Sequence, residues 1–213
     1  MSYSKNDNER LLQHVRDNYA SVYLTIVSVI VALALGDLFT QVREIYSSGE
    51  AIGAPFLLWV KVISAFGAAL CVWVGYCHIF ITVSWILGIW DALSVMILLI
   101  ALFLINTTVG LDSSAWWFWA VGFATLSGGT ILYVNMRNAQ LKSGLAADAL
   151  PDPHSWPVIY LFVFGGLAVL YGCLIFLQVV GSALELLLAA TVAFTAMYWP
   201  FLWVKAWRKG LGL

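Results

Sequence analysis

Residues 55–109 read PFLLWVKVISAFGAALCVWVGYCHIFITVSWILGIWDALSVMILLIALFLINTTV. This stretch of 55 residues contains only three that could carry charge, Lys61, His78 and Asp91. A helix that crosses the ~30 Å hydrocarbon core of a bilayer needs ~20 consecutive apolar residues. We therefore predict that the stretch forms two membrane spans joined by a very short turn.

The composition of the whole chain has the same character. The chain is 62% hydrophobic and 10% charged, whereas soluble domains are about 25% charged. Its net charge of −1 provides no basic surface, so we expect no nucleic-acid partner. These numbers predict an integral membrane protein whose main surroundings are the lipid bilayer.

Metal and cofactor binding have no clear signature in the sequence. The three cysteines, Cys71, Cys77 and Cys173, lie in apolar runs and form no Cys-x-x-Cys pair, so we interpret them as small packing residues. His78 is the only histidine within an apolar run, which disfavours a haem held by two histidines. We expect no bound metal and no cofactor.

Six apolar runs can be marked along the chain, at residues 19–39, 55–80, 86–107, 116–134, 158–180 and 184–204. They predict an all-α integral membrane protein with six transmembrane helices. The two longer connections are residues 40–54 and 135–157, and the second contains three prolines, as is typical of an irregular solvated loop. The chain then divides into an N-terminal tail, a six-span domain and a basic C-terminal tail, at residues 1–18, 19–204 and 205–213.

The distribution of lysine and arginine indicates the orientation. Cytoplasmic loops of membrane proteins carry an excess of these residues. Six spans with both termini in the cytoplasm leave Arg43 alone in an outer loop and Lys61 within a span. All the others are then cytoplasmic, namely Lys5, Arg10, Arg16, Arg137, Lys142, Lys205, Arg208 and Lys209.

Four ionisable residues lie within predicted spans, where charge is expensive. Asp37 and Lys61 are both predicted near the outer face, where they form a salt bridge between the first two helices, reach the interface, or ring the outer mouth of a pore. His78 and Asp91 lie on either side of the inner turn, only 13 positions apart. They are either a structural pair that holds a helical hairpin or a pH-sensing pair, because histidine titrates near physiological pH.

The first predicted helix has two distinct stripes. One consists of small and hydroxyl residues at helical spacing, Ser21, Thr25, Ser28, Ala32 and Gly36. A neighbouring stripe consists of Ile26, Ile30, Leu33 and Asp37. Such stripes are typical of close helix packing. Alternatively, they form a hydroxyl-lined path beside a hydrophobic gate that closes by dewetting, with Ser21, Thr25, Ser28, Ile26, Ile30 and Leu33 as the pore-lining and gate residues.

Enzymatic chemistry is weakly indicated. Ser127 lies in a Leu-Ser-Gly-Gly segment that is similar to part of an intramembrane serine protease motif. Such a protease needs a histidine on a later span as its base, and the only later histidine, His154, lies in the proline-rich loop. We expect the chain not to be an enzyme.

Residues 72–107 contain a recognisable order of side chains, namely Trp73, Tyr76, His78 followed two positions later by Phe80, then Asp91 and Asn106. This order resembles the second and third helices of the endolysosomal potassium channel family and its small bacterial relatives. Those helices carry a Tyr-Trp and His-His-x-x-Phe pattern, an acidic residue after the turn, and an apolar helix. The resemblance implies a six-span subunit of a potassium channel in a bacterial inner (plasma) membrane.

The chain departs from that family in its first helix. The family has a Phe-Ser-Asp motif preceded by an arginine, whereas this chain has Arg16 followed by Tyr-Ala-Ser at 19–21. One histidine, His78, stands where the family has two. The residues that shape the pore of the family therefore have no counterparts here, and the resemblance implies no particular ion selectivity.

Three functions remain open on the sequence alone. The leading hypothesis is a channel or pore-forming subunit that conducts a small ion as a homo-oligomer, with the first helix lining the path. The second is a binding or transport subunit for a small, vitamin-type solute. The third is a non-transporting sensor or anchor subunit of a bacterial stress or defence complex, which would bind a soluble cytoplasmic partner at the 135–157 loop.

Overall fold

The structure is a computed structural model. It describes the backbone of residues 5–47, 56–82, 89–111, 113–142 and 156–210. Side chains are described for residues 21–47, 56–77, 90, 93–111, 113–138 and 158–201. This part of the chain forms six α-helices and no strand: α1 (Lys5–Ser47), α2 (Phe56–Thr82), α3 (Ile89–Val109), α4 (Ser114–Lys142), α5 (Trp156–Phe176) and α6 (Ser182–Gly210).

The prediction of an all-helical membrane protein is confirmed. Five helices contain a stretch that is long and apolar enough to cross a bilayer, in α1, α2, α4, α5 and α6. The helix α3 is 21 residues long, and the part of it whose side chains are described as one continuous apolar stretch is Leu93–Val109.

Several helices end at other residues than the apolar runs predict. The helix α1 has 43 residues, which corresponds to ~65 Å at 1.5 Å per residue. It continues past position 40 to Ser47, and α4 continues past position 135 to Lys142, so both predicted connections begin later than expected. Apolar runs report only the hydrocarbon core, whereas polar residues with good helix propensity extend a helix beyond it. Conversely, α5 ends at Phe176 because the chain turns at Gln178, whose φ is 56°.

Five of the helices form a ring in which, over their described residues, α5 and α6 do not pack closely against each other. The helix α6 packs against α2, α2 against α3, α3 against α4, and α4 against α5. The helix α1 lies outside the ring and contacts α2 and α3. One face of α1 is consequently packed, and the opposite face is left on the surface of the protein.

The helices α4 and α5 approach each other closely. A Cβ atom added at Gly165 of α5 would lie 2.7 Å from the Thr125 hydroxyl oxygen of α4. A Cβ atom added at Gly172 would overlap the indole ring of Trp119 and lie 3.1 Å from the carbonyl oxygen of Ala115. Glycine allows this short separation because it has no side chain, and such close packing stabilises pairs of membrane helices.

The helix α6 contains Pro200, which has no N–H to donate to the carbonyl of Ala196 one turn earlier. The thiol of Cys71 on α2 donates to that carbonyl, with a sulfur–oxygen distance of 3.2 Å. Cys71 therefore satisfies a backbone acceptor that the proline leaves free, in addition to the packing role that the sequence predicts for it.

Candidate functional site

The outward face of α1 carries the small and hydroxyl stripe that the sequence identifies. All five of its members are exposed: Ser21, Thr25, Ser28, Ala32 and Gly36. Apart from the neighbouring backbone of α1, no atom of the described residues lies within 4 Å of a Cβ atom built at Gly36. The residues that bury α1 against the bundle, Val27, Val31, Ala34 and Leu38, lie on its opposite side. The stripe thus faces mainly the surroundings, with one contact to another helix, because the Ser28 hydroxyl accepts a hydrogen bond over 3.2 Å from the indole N–H of Trp73 on α2.

The hydroxyls of this face are partly occupied by local hydrogen bonds. The Thr25 hydroxyl donates to the carbonyl of Ser21 over 2.9 Å, and the Thr40 hydroxyl donates to the carbonyl of Gly36 over 3.0 Å. A hydroxyl that donates to its own helix keeps free oxygen lone pairs. Both threonines therefore present acceptors towards the surroundings.

The structure separates the side chains that the sequence assigns to a gate. Ile26 is 43% exposed and Leu33 is 57% exposed, whereas Ile30 is only 9% exposed and packs in the core between α1, α2 and α3. Positions four apart on a helix differ by about 40° in direction. The edge of the packed sector falls between Ile26 and Ile30, so these two isoleucines do not share one surface.

Asp37 is held by a residue of α3. The side-chain amide of Asn106, which is 3% exposed, donates to the carbonyl of Ala34 over 2.7 Å and to the carboxylate of Asp37 over 3.2 Å. The sequence indicates Asn106 only as a helix-end residue. In the structure, Asn106 connects α1 to α3 inside the bundle.

Lys61 reaches the same end of α3. Its side chain is 4% exposed, and its ammonium donates to the carbonyl of Leu111, directly after α3, over 3.3 Å. The carbonyl end of a helix stabilises a cation. Asp37 and Lys61 therefore lie at one end of the bundle, and both contact α3 or the residues that follow it.

Two predicted features fall outside the described residues. The side chains of His78 and Asp91 are not among those described, although their backbones belong to α2 and α3. Their pairing stays a prediction. The proposed partner-binding loop, 135–157, is described as helix up to Lys142 and again from Trp156, and residues 143–155 lie outside the described part.

A cavity of about 170 Å³ lies inside the ring of five helices. Its wall is almost entirely apolar, and it is partly open to the surface. One end is marked by stacked aromatic rings: Tyr160 of α5 lies 4.8 Å from Trp199 of α6 and 5.8 Å from Phe164, measured between ring centroids. No sequence pattern indicates this cavity, because it depends on how the helices are spaced.

The few polar side chains in the cavity wall are engaged in hydrogen bonds. Ser64 donates to the carbonyl of Val60 over 2.7 Å, and Thr125 donates to that of Val121 over 2.8 Å. The hydroxyls of Tyr76 and Ser94 are 2.8 Å apart. The Tyr160 hydroxyl bonds to Thr195 over 3.3 Å, and Cys71 bonds to Ala196.

Comparison with known proteins identified no relative of the chain. No protein-family model, no curated protein and no solved structure matches the chain. Among the side chains that the structure describes, no group of three or more His, Cys, Asp or Glu is placed to hold a metal ion. The features that could act on a ligand or ion are therefore the outward face of α1, the polar contacts at the end of α3, and the cavity.

Proposed function

We propose that the chain is a pore-forming subunit of a homo-oligomeric membrane channel that conducts a small ion. In this proposal the chain crosses the membrane six times, because α3 also spans it in addition to the other five helices. Both termini are cytoplasmic. The location we propose is a bacterial inner membrane, in agreement with the resemblance to small bacterial relatives of the endolysosomal potassium channels. The path is lined by α1 from each subunit.

The observation that carries this proposal is the outward position of the hydroxyl stripe on α1. Ser21, Thr25 and Ser28 lie on the surface of the subunit within an apolar span. Polar side chains in membrane helices usually face a protein interior or a water-filled path. Assembly of several subunits around α1 would give these hydroxyls such surroundings, whereas in a monomer they would face lipid, with Ser28 in contact with Trp73 of α2.

The hydrogen bonds of two threonines on the exposed face of α1 favour a cation over an anion. Because Thr25 and Thr40 donate their hydrogens to their own helix, their oxygens act outwards as acceptors. Oxygen acceptors replace the hydration shell of a cation. Asp37, half-buried on the same helix, would add negative charge near the predicted outer mouth.

The gate in this proposal consists of Ile26 and Leu33. Both are exposed beside the hydroxyl stripe, whereas Ile30 supports α1 from within the subunit. A ring of apolar side chains excludes water from a narrow path, which raises the barrier for an ion. A polar residue at Ile26 would hydrate this constriction without disturbing the packed side of α1.

The other two functions have less support from the described residues. Among the described residues that line the cavity, none has a charged side chain. A vitamin-type solute would need polar partners there. A sensor or anchor subunit would use the 135–157 loop, of which residues 143–155 lie outside the described part.

The decisive experiment adds bulk to the outward face of α1. Gly36→Leu places a side chain where no atom lies within 4 Å, so each subunit should fold. We expect this variant to lose the oligomer, measured as mass in detergent, and to lose cation flux in reconstituted liposomes. Gly166→Leu is the matched control, because Gly166 is exposed on α5 and is equally free of neighbours.

The two readouts give a clear decision. Oligomeric mass and flux should persist in Gly166→Leu and in the wild type, and Ile26→Asn should raise the flux. A wild-type protein that is monomeric, or that forms an oligomer without any cation flux, would contradict the proposal. Equal behaviour of the Gly36 and Gly166 variants would show that subunits do not meet along α1.

The proposed topology has a separate test. Single cysteines at Ser47 and Ser143 should react with a membrane-impermeant thiol reagent from opposite sides, because the positive-inside distribution places them on different faces. The three native cysteines lie in apolar helices and provide the unlabelled background. Labelling of both positions from one side would exclude the six-span arrangement.

A further inference from the structure

The ring around the cavity is open at one seam. Four of its five neighbouring helix pairs pack closely, but within the described helices α5 and α6 are not a closely packed pair. They are joined at one end by the turn at residues 177–181. At the other end, Tyr160 of α5 stacks on Trp199 of α6 and bonds to Thr195. Between these two closures, the seam faces the hydrocarbon region.

The cavity is long and narrow. Along α2 its wall extends from Ser64 to Tyr76, and along α4 from Val121 to Leu132. At 1.5 Å per residue, the longer of these distances is ~18 Å. One leaflet occupies about half of the ~30 Å hydrocarbon core. The cavity is therefore about as long as one leaflet is thick, which suits an extended chain better than a compact ring.

The chemistry of the wall selects an apolar occupant. Because its hydroxyls and its thiol are engaged in hydrogen bonds within the protein, a water molecule would find few of the two to four partners that it needs. An apolar cavity of ~150 Å³ in another protein stays dry and binds benzene. An apolar chain that fills this cavity would gain dispersion contacts that an empty space lacks.

We propose that the cavity is a binding site for one acyl chain of a bilayer lipid, which enters sideways through the seam between α5 and α6. The lipid headgroup stays at the membrane surface. Tyr160 and Trp199 close the seam at one end and fix how far the chain can extend. This site is independent of the outward face of α1, so it stands whether or not the protein conducts ions.

The test uses a phospholipid with a photoactivatable diazirine in one acyl chain, incorporated into nanodiscs with the full-length protein. After illumination, adducts are mapped by mass spectrometry. In the wild type we expect adducts on the cavity-lining residues Ala124 and Val192, and also on the exposed residues Val163 and Leu167. Adducts confined to the exposed residues would overturn the proposal, and the wild-type protein alone is sufficient for this test.

Two variants fill the cavity from different helices. Gly75 has no atom within 4 Å of a built Cβ atom, and Gly128 has only a Leu98 methyl at 3.9 Å, so Gly75→Leu and Gly128→Leu should fit. We expect cavity adducts to fall about tenfold, which corresponds to a loss of ~1.4 kcal/mol in binding free energy. This loss is smaller than the free energy gained by burying two methylene groups of an acyl chain. Adducts at Val163 and Leu167 should remain, and Gly166→Leu should change neither set. Undiminished cavity adducts in both filling variants would refute the proposal.

Discussion

The contact between α4 and α5 and the attachment of α1 represent two different ways of holding a membrane helix. At Gly165 and Gly172, α4 and α5 are so close that an added methyl group would collide with Thr125 or Trp119. On α1, Gly36 has no neighbour within 4 Å. The helix α1 is held mainly from its other side, by apolar packing and by the hydrogen bonds of Asn106, with one further hydrogen bond from Trp73 to Ser28.

The difference shows that a small residue in a membrane helix has no fixed meaning. Small residues at helical spacing allow close approach where a second helix is present, as between α4 and α5. On α1 the same kind of residue lies on an exposed surface, which contacts either a second copy of the chain or lipid. The surrounding helices decide which role applies, and substitutions can distinguish the two cases.

The largest effect is expected at the close contact. Gly172→Ala should lower the free energy of unfolding by about 2 kcal/mol, because overpacking outweighs the gain in helix propensity. Trp119 has little room to move, since it also contacts Trp116 and Phe176. The measurement is thermal or denaturant unfolding in detergent.

Gly36→Ala is the matched control, for which we expect a gain of up to ~1 kcal/mol in the isolated subunit. Similar losses in both variants would mean that the two helices are held alike, and the comparison between them would fail.

An intermediate effect is expected where α1 is attached. Asn106→Ala should destabilise the fold by about 1.5 kcal/mol, because it removes two hydrogen bonds and leaves the Asp37 carboxylate without this donor. Thr107→Ala is the control. Thr107 is exposed and bonds only to Leu104 of its own helix, so its loss should stay within ~0.5 kcal/mol. If Asn106→Ala unfolds at the same temperature as Thr107→Ala, the attachment of α1 does not depend on this amide.

The smallest effect is expected between α2 and α6, which combine close packing with a hydrogen bond. Cys71→Ala removes the donor to the Ala196 carbonyl, which Pro200 leaves without its helical partner. We expect a loss of about 0.6 kcal/mol, a typical value for a hydrogen bond between membrane helices. Cys71→Ser retains a donor and should be closer to the wild type in melting temperature. Identical losses of stability in Cys71→Ala and Cys71→Ser would indicate that Cys71 contributes through packing alone.

The sequence predicts the helices of this protein better than their ends. All six apolar runs correspond to helices, because a backbone in hydrocarbon must satisfy its own hydrogen bonds. The ends of α1 and α4 were predicted too early, since Arg43 and Glu44 follow the apolar run but remain helical to Ser47. Hydropathy reports where lipid ends, whereas helix ends depend on propensity and capping.

The candidate sites were predictable to different degrees. The stripe on α1 follows directly from helical periodicity, and its exposure agrees with a surface role. The same periodicity grouped Ile26 with Ile30, but the packed sector includes only Ile30. The role of Asn106 as a link to Ala34 and Asp37 could not be predicted, because these residues are about 70 positions apart in the chain.

The sequence by itself determined that the chain is helical and belongs in a membrane, and it identified the polar residues that need an explanation there. These properties follow from local composition and period, because the bilayer acts on each segment separately. Only the tertiary structure decided which face of α1 stays exposed and which groups form hydrogen bonds with Asp37 and Lys61. It alone decided that a cavity lies within the ring. Each of these depends on the distances between helices, which are set by contacts between residues far apart in the sequence.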